Sequence, residues 1–303
     1  MSADVPPNEG NVPASGPKVG PPGVAVVAKS RLAARRAPES TWAIRRPVSA
    51  RLRLPLAFAL PVLLLVCWCV LTLGQPPLVG ELFLPSPVRV VQVTLRMILD
   101  GTLFDAVAAS AVRIALAFAA AALVALPLGV LMGAFEPVER FLDPILAPLR
   151  YMPISAFIPL LILWFGIDEG EKIACLFLGV FVYLLPVVIT AVRAVPEELL
   201  QTALTLGATR AQVIRTVIIP AALPDIFDSF RVMNAISWTY VILAEFVNAR
   251  RGLGYLIALA GNHLKTAEVF SGILVIGLIG LATDALIRLV NSLLFPWRET
   301  ANG

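Results

Sequence analysis

The chain alternates between long apolar runs and short polar segments. Each apolar run is about twenty residues long, which is the length a helix needs to cross a bilayer core of about 30 Å. We therefore predict an all-α polytopic membrane protein with about six transmembrane helices. The predicted spans are residues 54–74, 106–133, 151–167, 172–194, 227–248 and 269–292.

Composition agrees with this pattern and excludes an ordinary soluble domain. Hydrophobic residues make up 58% of the 303 residues and charged residues only 15%, whereas soluble domains carry about 45–50% and about 25%. The three cysteines, Cys67, Cys69 and Cys175, all lie within apolar runs. Their spacing predicts neither a metal site nor a disulfide framework, and they are expected to be small buried hydrophobes.

Charge along the chain predicts its orientation. Residues 29–53, just before the first span, carry eight basic residues and one acidic residue, Glu39; the basic ones are Lys29, Arg31, Arg35, Arg36, Arg45, Arg46, Arg51 and Arg53. Because basic segments stay on the cytoplasmic side, residues 1–50 are predicted to be a cytoplasmic tail, and an even number of spans places both termini there. The tail is predicted to be disordered, because its first 28 residues are rich in Pro, Gly, Val and Ala and show no helical or strand period. The predicted outer loop 249–268 contains Arg250, Arg251 and Lys265, a mild exception to this rule.

The polar segment of about 195–226, between two spans, is predicted to form a helix, a sharp turn and a second helix. Thr209 and Gln212 have the spacing of a capping box, and Gly207 precedes them, where a helix should end in a left-handed residue. Pro220 and Pro224 are predicted to stop the second helix. One face of that helix is apolar, so the segment either shields the membrane bundle or presents its other face to a partner protein.

The same segment resembles the coupling loop of ATP-binding-cassette (ABC) importer permeases. In that family Glu-Ala-Ala is followed after three residues by Gly and, nine residues later, by Ile-x-Leu-Pro. The corresponding residues here are Gln201-Thr202-Ala203, Gly207 and Val217-Ile218-Ile219-Pro220. Gln201 and Thr202 depart from the pattern, while the glycine and the spacing are kept.

The resemblance covers most of residues 80–298 and is closest to the subgroup for sulfonate, taurine, nitrate, bicarbonate and thiamine-precursor uptake. Its motifs here are Leu84-Pro85-Ser86-Pro87, the run 159–167 (PLLILWFGI), Gly252-Leu253-Gly254-Tyr255 and Pro296-Trp297-Arg298. The resemblance implies a type I ABC importer permease fold (MetI-like) over residues 51–298. It further implies a permease subunit in a bacterial inner membrane, carrying a small anion of the sulfonate, taurine or nitrate type.

The resemblance also implies partners: separate ATPase subunits in the cytoplasm, a periplasmic solute-binding protein and a second permease subunit, which we expect to be another copy of this chain. No enzyme activity, cofactor, metal or nucleic-acid partner is expected, and the sequence contains no phosphate-binding loop of its own. The residues expected to couple to the ATPase are Gln201, Thr202, Ala203, Gly207, Ala208, Arg210 and Pro220.

Polar residues within the spans are candidates for the translocation pathway. The four candidates are Asn234, Ser237, Trp238 and Glu245, each of which could equally hold neighbouring helices together. Arg113 has two readings, attraction of an anion or snorkelling to the interface. Asp284 and Arg288 have the spacing of an ion pair on one helical face, whereas Asp228 and Arg231 either pair in the same way or act as interfacial anchors that join the loop to the span.

Two other classes of protein remain open at this point. An ion-driven secondary transporter would contain inverted repeats and ionisable groups at mid-membrane, and the sequence shows no convincing repeat. A polytopic membrane enzyme would gather His, Asp, Glu or Cys at one membrane face, whereas the chain contains a single histidine.

Overall fold

The structure is a computed structural model that describes residues 50–74, 77–247 and 249–296, and every regular element in those ranges is helical. The helices are α1 (Ala50–Thr72), α2 (Pro87–Leu99), α3 (Thr102–Ala134), α4 (Glu136–Leu149), α5 (Ile158–Phe165), α6 (Glu169–Arg193), α7 (Glu197–Thr205), α8 (Arg210–Val213), α9 (Ile219–Phe246), α10 (Leu253–Asn262) and α11 (Thr266–Leu294). The chain divides into two compact units, Met1–Pro61 and Val62–Gly303. The predicted tail, residues 1–50, lies outside the described residues except for its last position.

Four helices in the described residues are long and apolar enough to cross a membrane. They are Leu54–Thr72, Thr102–Ala134, Glu169–Arg193 and Thr266–Leu294, and they correspond to the first, second, fourth and sixth predicted spans. A separate helix, α2, precedes the second predicted span and ends at Leu99. A short link, Asp100–Gly101, then lets α3 begin at Thr102.

The third predicted span, 151–167, is wrong as a single straight helix. A 3₁₀ turn (Ile154–Phe157) leads into α5, whose eight residues reach only about 12 Å. Residues Ile154–Phe165 follow α4 after a short break, and the chain bends by 89° between the two helices, as in a broken span or a re-entrant loop. The physical reason is local: Pro153 and Pro159 disfavour a continuous helix, and Gly166 has φ 76 where α5 ends.

The fifth predicted span lies within α9, but α9 begins earlier, at Ile219, and ends at Phe246. Its 28 residues are enough to cross a bilayer. Among the described residues, α9 is nevertheless not one of the helices that are apolar enough to cross a membrane. The reason is that its first half carries Asp225, Asp228 and Arg231. Each of these charged groups therefore needs a polar partner if α9 lies within the membrane.

The core of the second unit is built where α3 packs along α6, with α9 against them. α3 presents small residues at every fourth position, Ala117, Ala121, Ala125 and Gly129, and all are buried. A Cβ added to Gly129 would lie 2.6 Å from Val188 Cγ1 of α6. The backbones of α3 and α6 therefore approach closely at the positions that lack side-chain bulk.

We predict that Gly129→Val lowers the thermal unfolding midpoint of the purified protein in detergent. The added methyl groups must displace Val188 in a packed core, and overpacking of this kind costs about 1–3 kcal/mol. Gly277→Val in α11 is the matched control, because nothing lies within 4 Å of a Cβ at Gly277. Equal midpoints for the two variants would contradict the close α3–α6 contact.

Candidate functional site

The turn between α7 and α8 is closed by a Schellman motif. The Ala208 amide donates to the Ala203 carbonyl over 3.0 Å, and the Gly207 amide donates to the Leu204 carbonyl over 2.9 Å. Gly207 has φ +88, a left-handed conformation that side chains with a Cβ rarely adopt. The left-handed helix end predicted from the sequence is confirmed.

A capping box fixes the start of the following helix. Thr209 Oγ1 accepts from the Gln212 amide, and Gln212 Oε1 accepts from the Thr209 amide over 2.7 Å. Because the two motifs share the short segment Leu206–Thr209, the turn has little freedom to change shape. We call Leu204–Arg210 the coupling turn.

The prediction that Pro220 and Pro224 end the second helix is wrong. α8 continues through a π-helical segment, Ile214–Ile218, directly into α9, which contains both prolines. Pro220 lies in the first turn of α9, where a missing N–H is tolerated. The wider π-helical turn absorbs the changed hydrogen-bond register before it, so α8, which begins at Arg210 of the coupling turn, forms one continuous helical rod with the π-helical segment and α9.

Exposure divides the segment into two faces. Gln201, Thr202 and Arg210 are exposed, whereas Ala203 and Ala208 are half-buried and pack against the core. Val213 and Ile218 are buried, which confirms the apolar face predicted for the second helix. Leu206, at the tip of the turn, is 83% exposed. An exposed leucine held on a rigid turn presents apolar surface that burial against another protein would remove from water.

Asn234 and Trp238 of α9 meet a single threonine of α11. Asn234 Nδ2 donates to Thr283 Oγ1 over 2.9 Å, and Trp238 Nε1 donates to the same oxygen over 3.2 Å. These three side chains lie at an apolar cavity of about 440 Å³, which is lined mainly by α3, α9 and α11. Ser237 instead donates to the Met233 carbonyl of its own helix.

The charged groups nearer the start of α9 pair with α11. Arg231 Nε donates to Asp284 Oδ1 over 2.7 Å, and Arg288 lies 3.0 Å from the other oxygen of Asp284. The Asp284–Arg288 pair predicted from the sequence is confirmed. Both groups of α9 thus contact α11: Arg231 forms its ion pair with Asp284, and Asp228 Oδ1 accepts from Asn291.

Glu245, near the end of α9, belongs to a buried ionic cluster. Arg113 of α3 donates through Nη1 to Glu245 Oε1 over 2.7 Å, and through Nε and Nη2 to both oxygens of Glu169. Arg113 is 4% exposed and Glu245 1% exposed. The sequence suggested two roles for Arg113, snorkelling to the interface or attraction of an anion. In the structure its guanidinium group instead binds two carboxylates of the protein.

The other lone pairs of Glu245 are also satisfied. Ser110 Oγ donates to Glu245 and accepts from the Leu253 amide over 2.9 Å, while the Gly254 amide donates to Glu245 Oε2 over 2.7 Å. Gly252 and Gly254 provide the space: a Cβ on Gly252 would overlap the carboxyl group, and one on Gly254 would lie 2.7 Å from Glu245 Cβ. The Gly252-Leu253-Gly254 motif is therefore the cradle of this carboxylate.

Sequence reasoning missed this cluster. It singled out Glu245, Arg113 and the glycine motif separately, and it did not consider Ser110. The signal that could have joined them is chemical: the membrane-length stretches contain few charges, and opposite charges buried in them must pair. Spacing alone could not reveal the pairing, because Arg113 and Glu245 are 132 residues apart.

These features define the class of protein first: an all-helical, multi-pass membrane protein with an exposed, rigid turn between two of its helices. The chain belongs to the family of binding-protein-dependent transport system inner membrane components, whose pattern matches residues 125–296. It is thus a permease subunit of an ABC importer, a transport protein rather than an enzyme. The resemblance drawn from the coupling-loop residues is confirmed, and the secondary-transporter and membrane-enzyme alternatives are set aside.

Two relatives cover most of the chain. The taurine transport system permease protein TauC of Escherichia coli (strain K12) is 38% identical over 258 residues, which are 84% of this chain and 92% of TauC. The putative aliphatic sulfonates transport permease protein SsuC of Bacillus subtilis (strain 168) is 36% identical, over 80% of this chain and 88% of SsuC.

A solved structure shows the same fold. The crystal structure of an amino acid ABC transporter with histidines matches with a TM-score of 0.53 at 18% identity, over 66% of this chain and 96% of that one. The predicted MetI-like fold class is confirmed at the level of the fold. At this identity the likeness carries no information about the solute.

We predict that Arg113→Gln destabilises the protein by about 3–5 kcal/mol, because it leaves the buried Glu245 carboxylate without a cation, and that Glu245→Gln costs less, because buried Arg113 keeps its bonds to Glu169. The double variant should lose clearly less than the sum of the two, since neither charge then remains. Unfolding in detergent measures all four members of the cycle. Arg288→Gln, which breaks a half-exposed pair with Asp284, is the control and should cost about 0–1 kcal/mol. Simple additivity would show that the two residues do not interact.

Proposed function

We propose that the coupling turn is the surface by which this permease engages a separate ATPase subunit on the cytoplasmic side of the membrane. In this orientation both termini, the tail 1–50 and the segment 195–226 face the cytoplasm, as the basic residues before the first span favour. Two copies of the chain form the translocation pathway, and a solute-binding protein docks on the opposite face. The observation that carries the proposal is the exposed leucine held at the tip of a doubly capped turn.

Leu206 supports docking because nothing in the described part of the chain covers it. The Leu206 side chain is 83% exposed, and its full burial in a partner's groove would stabilise the complex by about 1.5–3 kcal/mol. The flanking Thr202 and Arg210 are exposed and polar, which suits the rim of a protein interface. Arg210 is available to pair with a carboxylate on the ATPase, whereas the neutral Gln201 can offer only its amide group.

The remaining proposed coupling residues maintain this geometry. Gly207 allows the chain to reverse direction, and the small Ala203 and Ala208 let the turn lie against the bundle while a partner approaches from outside. Pro220 lies where the rod passes from its π-helical segment into α9. A displacement of the turn therefore reaches the start of α9, the helix that carries all four candidate pathway residues.

Among those four residues, two have the geometry of pathway contacts. Asn234 and Trp238 border the 440 Å³ cavity, and their hydrogen bonds to Thr283 can be exchanged for bonds to a solute. Ser237 is bound to its own helix and Glu245 to the ionic cluster, so we propose that these two support the pathway's shape. The solute we propose is a small anion of the sulfonate, taurine or nitrate type, supported by the two relatives named for taurine and aliphatic sulfonates.

We predict that Leu206→Asp weakens association with the ATPase by about tenfold or more, because an apolar anchor is replaced by a charge that must be desolvated. The measurement is the amount of ATPase that co-purifies with the tagged permease in mild detergent, together with ATP hydrolysis by the complex. Leu99→Asp is the matched control: Leu99 is 87% exposed at the end of α2, on the predicted outer side. Equal loss in both variants, or none in either, would contradict docking through Leu206.

We predict further that Gly207→Ala reduces ATPase coupling without preventing folding. A Cβ at φ +88 meets no neighbour but costs about 1–2 kcal/mol of backbone strain, which shifts the turn away from its docking shape. Gly261→Ala in α10 is the control, because that glycine also has open space and lacks a positive φ. Solute-stimulated ATP hydrolysis in proteoliposomes measures the difference. Wild-type coupling in Gly207→Ala would show that the left-handed turn is dispensable.

A further inference from the structure

A second cavity lies at the end of the bundle opposite the coupling turn. It has a volume of about 530 Å³ and is lined by α2, the start of α3, the segment before α10, and α10 itself. This volume is within the range of about 300–1,000 Å³ that is typical of small-molecule sites. None of the residues proposed for coupling or for the pathway lines it.

Basic side chains dominate the lining of this cavity. They outnumber the carboxylates five to three: Arg89, Arg96, Arg250, Arg251 and Lys265 against Asp100, Asp105 and Glu268. Lys265 is paired with Glu268 at 3.2 Å. Within the described ranges, none of the four arginines forms a salt bridge, and all four are exposed.

One wall of the cavity is fixed from beneath by the ionic cluster. Arg113 Nη1 donates to the Arg251 carbonyl over 2.7 Å, and Gly252, with φ +124, leads into the cradle of Glu245. Elsewhere on the lining, Thr102 donates to Asp100 over 2.7 Å, which lowers the pKa of that carboxyl group. The backbone that carries Arg250 and Arg251 is thus held by buried bonds, as expected of a preorganised site.

The position of these arginines is unusual for a bacterial membrane protein. In the proposed orientation the loop 249–268 faces outward, where the positive-inside rule disfavours a cluster of basic residues. An open cavity that gathers four guanidinium groups offers a physical reason for the exception. Guanidinium groups bind the oxygens of sulfonates and phosphates through paired, charge-assisted hydrogen bonds.

We propose that this cavity is an oxyanion-binding site on the outer face of the permease, in which Arg250 and Arg251 bind the sulfonate group of a solute before it enters the pathway. The proposal rests on the proposed orientation and solute class. It gives the permease its own affinity for the anion, separate from that of the solute-binding protein. The same chemistry would suit the phosphate of a lipid headgroup, and the experiment separates the two sources.

The test measures ethanesulfonate and taurine binding to the full-length chain, purified with any accompanying subunits, in nanodiscs of phosphatidylcholine at constant ionic strength. Binding should weaken by about tenfold or more in the Arg250→Gln/Arg251→Gln variant, since charge-assisted bonds are lost. Arg140→Gln is the control, because Arg140 is an exposed arginine of α4 paired with Glu136, far in sequence from the cavity. Both substituted arginines are exposed, so the double variant is expected to fold, which size-exclusion chromatography checks.

Three results would overturn the proposal. The first is sulfonate affinity that is absent from the wild type or unchanged in the double variant. The second is retention of phosphatidylglycerol that depends on Arg250 and Arg251 while free sulfonates do not bind, which would assign the cavity to a lipid headgroup. The third is a double variant that binds sulfonates as the wild type does but no longer responds to the solute-binding protein. This result would make the surface a contact for that protein. None of these readouts depends on ATPase co-purification, so failure here is distinguishable from failure of the proposed coupling.

Discussion

The buried ion pair between Arg113 and Glu245 is the interaction on which the arrangement of one whole end of the bundle depends. Two charges removed from water are tolerated only when each is paired and its remaining hydrogen-bonding capacity is filled. Here that requirement recruits α3, α6, α9 and the start of α10 together, through Ser110, Glu169 and the Gly254 amide. None of these helices can shift at that end without exposing an unpaired charge, so the cluster acts as a rigid clamp.

Elsewhere the helices are held by shape rather than by charge. The small-residue face of α3 lets α6 approach closely, and dispersion contacts replace the hydrophobic driving force that lipid does not supply. The chain therefore combines two kinds of constraint: a close-packed seam along α3 and α6, and a polar clamp at its end. The clamp also fixes the backbone at the cavity near Arg250, because Arg113 donates to the Arg251 carbonyl.

The sequence predicted features whose causes are local, and it failed where the cause was a distant partner. The capping box at Thr209, the left-handed Gly207 and four of the spans follow from neighbouring residues, and all are confirmed. The bend between α4 and α5 is the exception: its cause is local, at Pro153, Pro159 and Gly166, and a prediction based on the length of the apolar run overlooked it. The pairing of Arg231 with Asp284 depends on which helix lies beside α9. Periodicity along one helix contains no information about such a pairing.

The two ends of α9 differ in what they permit, and this difference bears on how the permease can move. At its end, Glu245 is fixed by the clamp. At its beginning, the π-helical segment Ile214–Ile218 and the prolines Pro220 and Pro224 interrupt the regular hydrogen-bond ladder. A load applied at the coupling turn must therefore be absorbed by bending near the π-helical segment, or by moving α3, α6 and α9 as one body. Breaking the clamp would expose buried charges, at a cost of several kcal/mol, whereas a change between π and α register requires only that a few hydrogen bonds be exchanged. We therefore expect motion to concentrate at the end of α9 that adjoins the coupling turn, with the clamp preserving the shape of the opposite face.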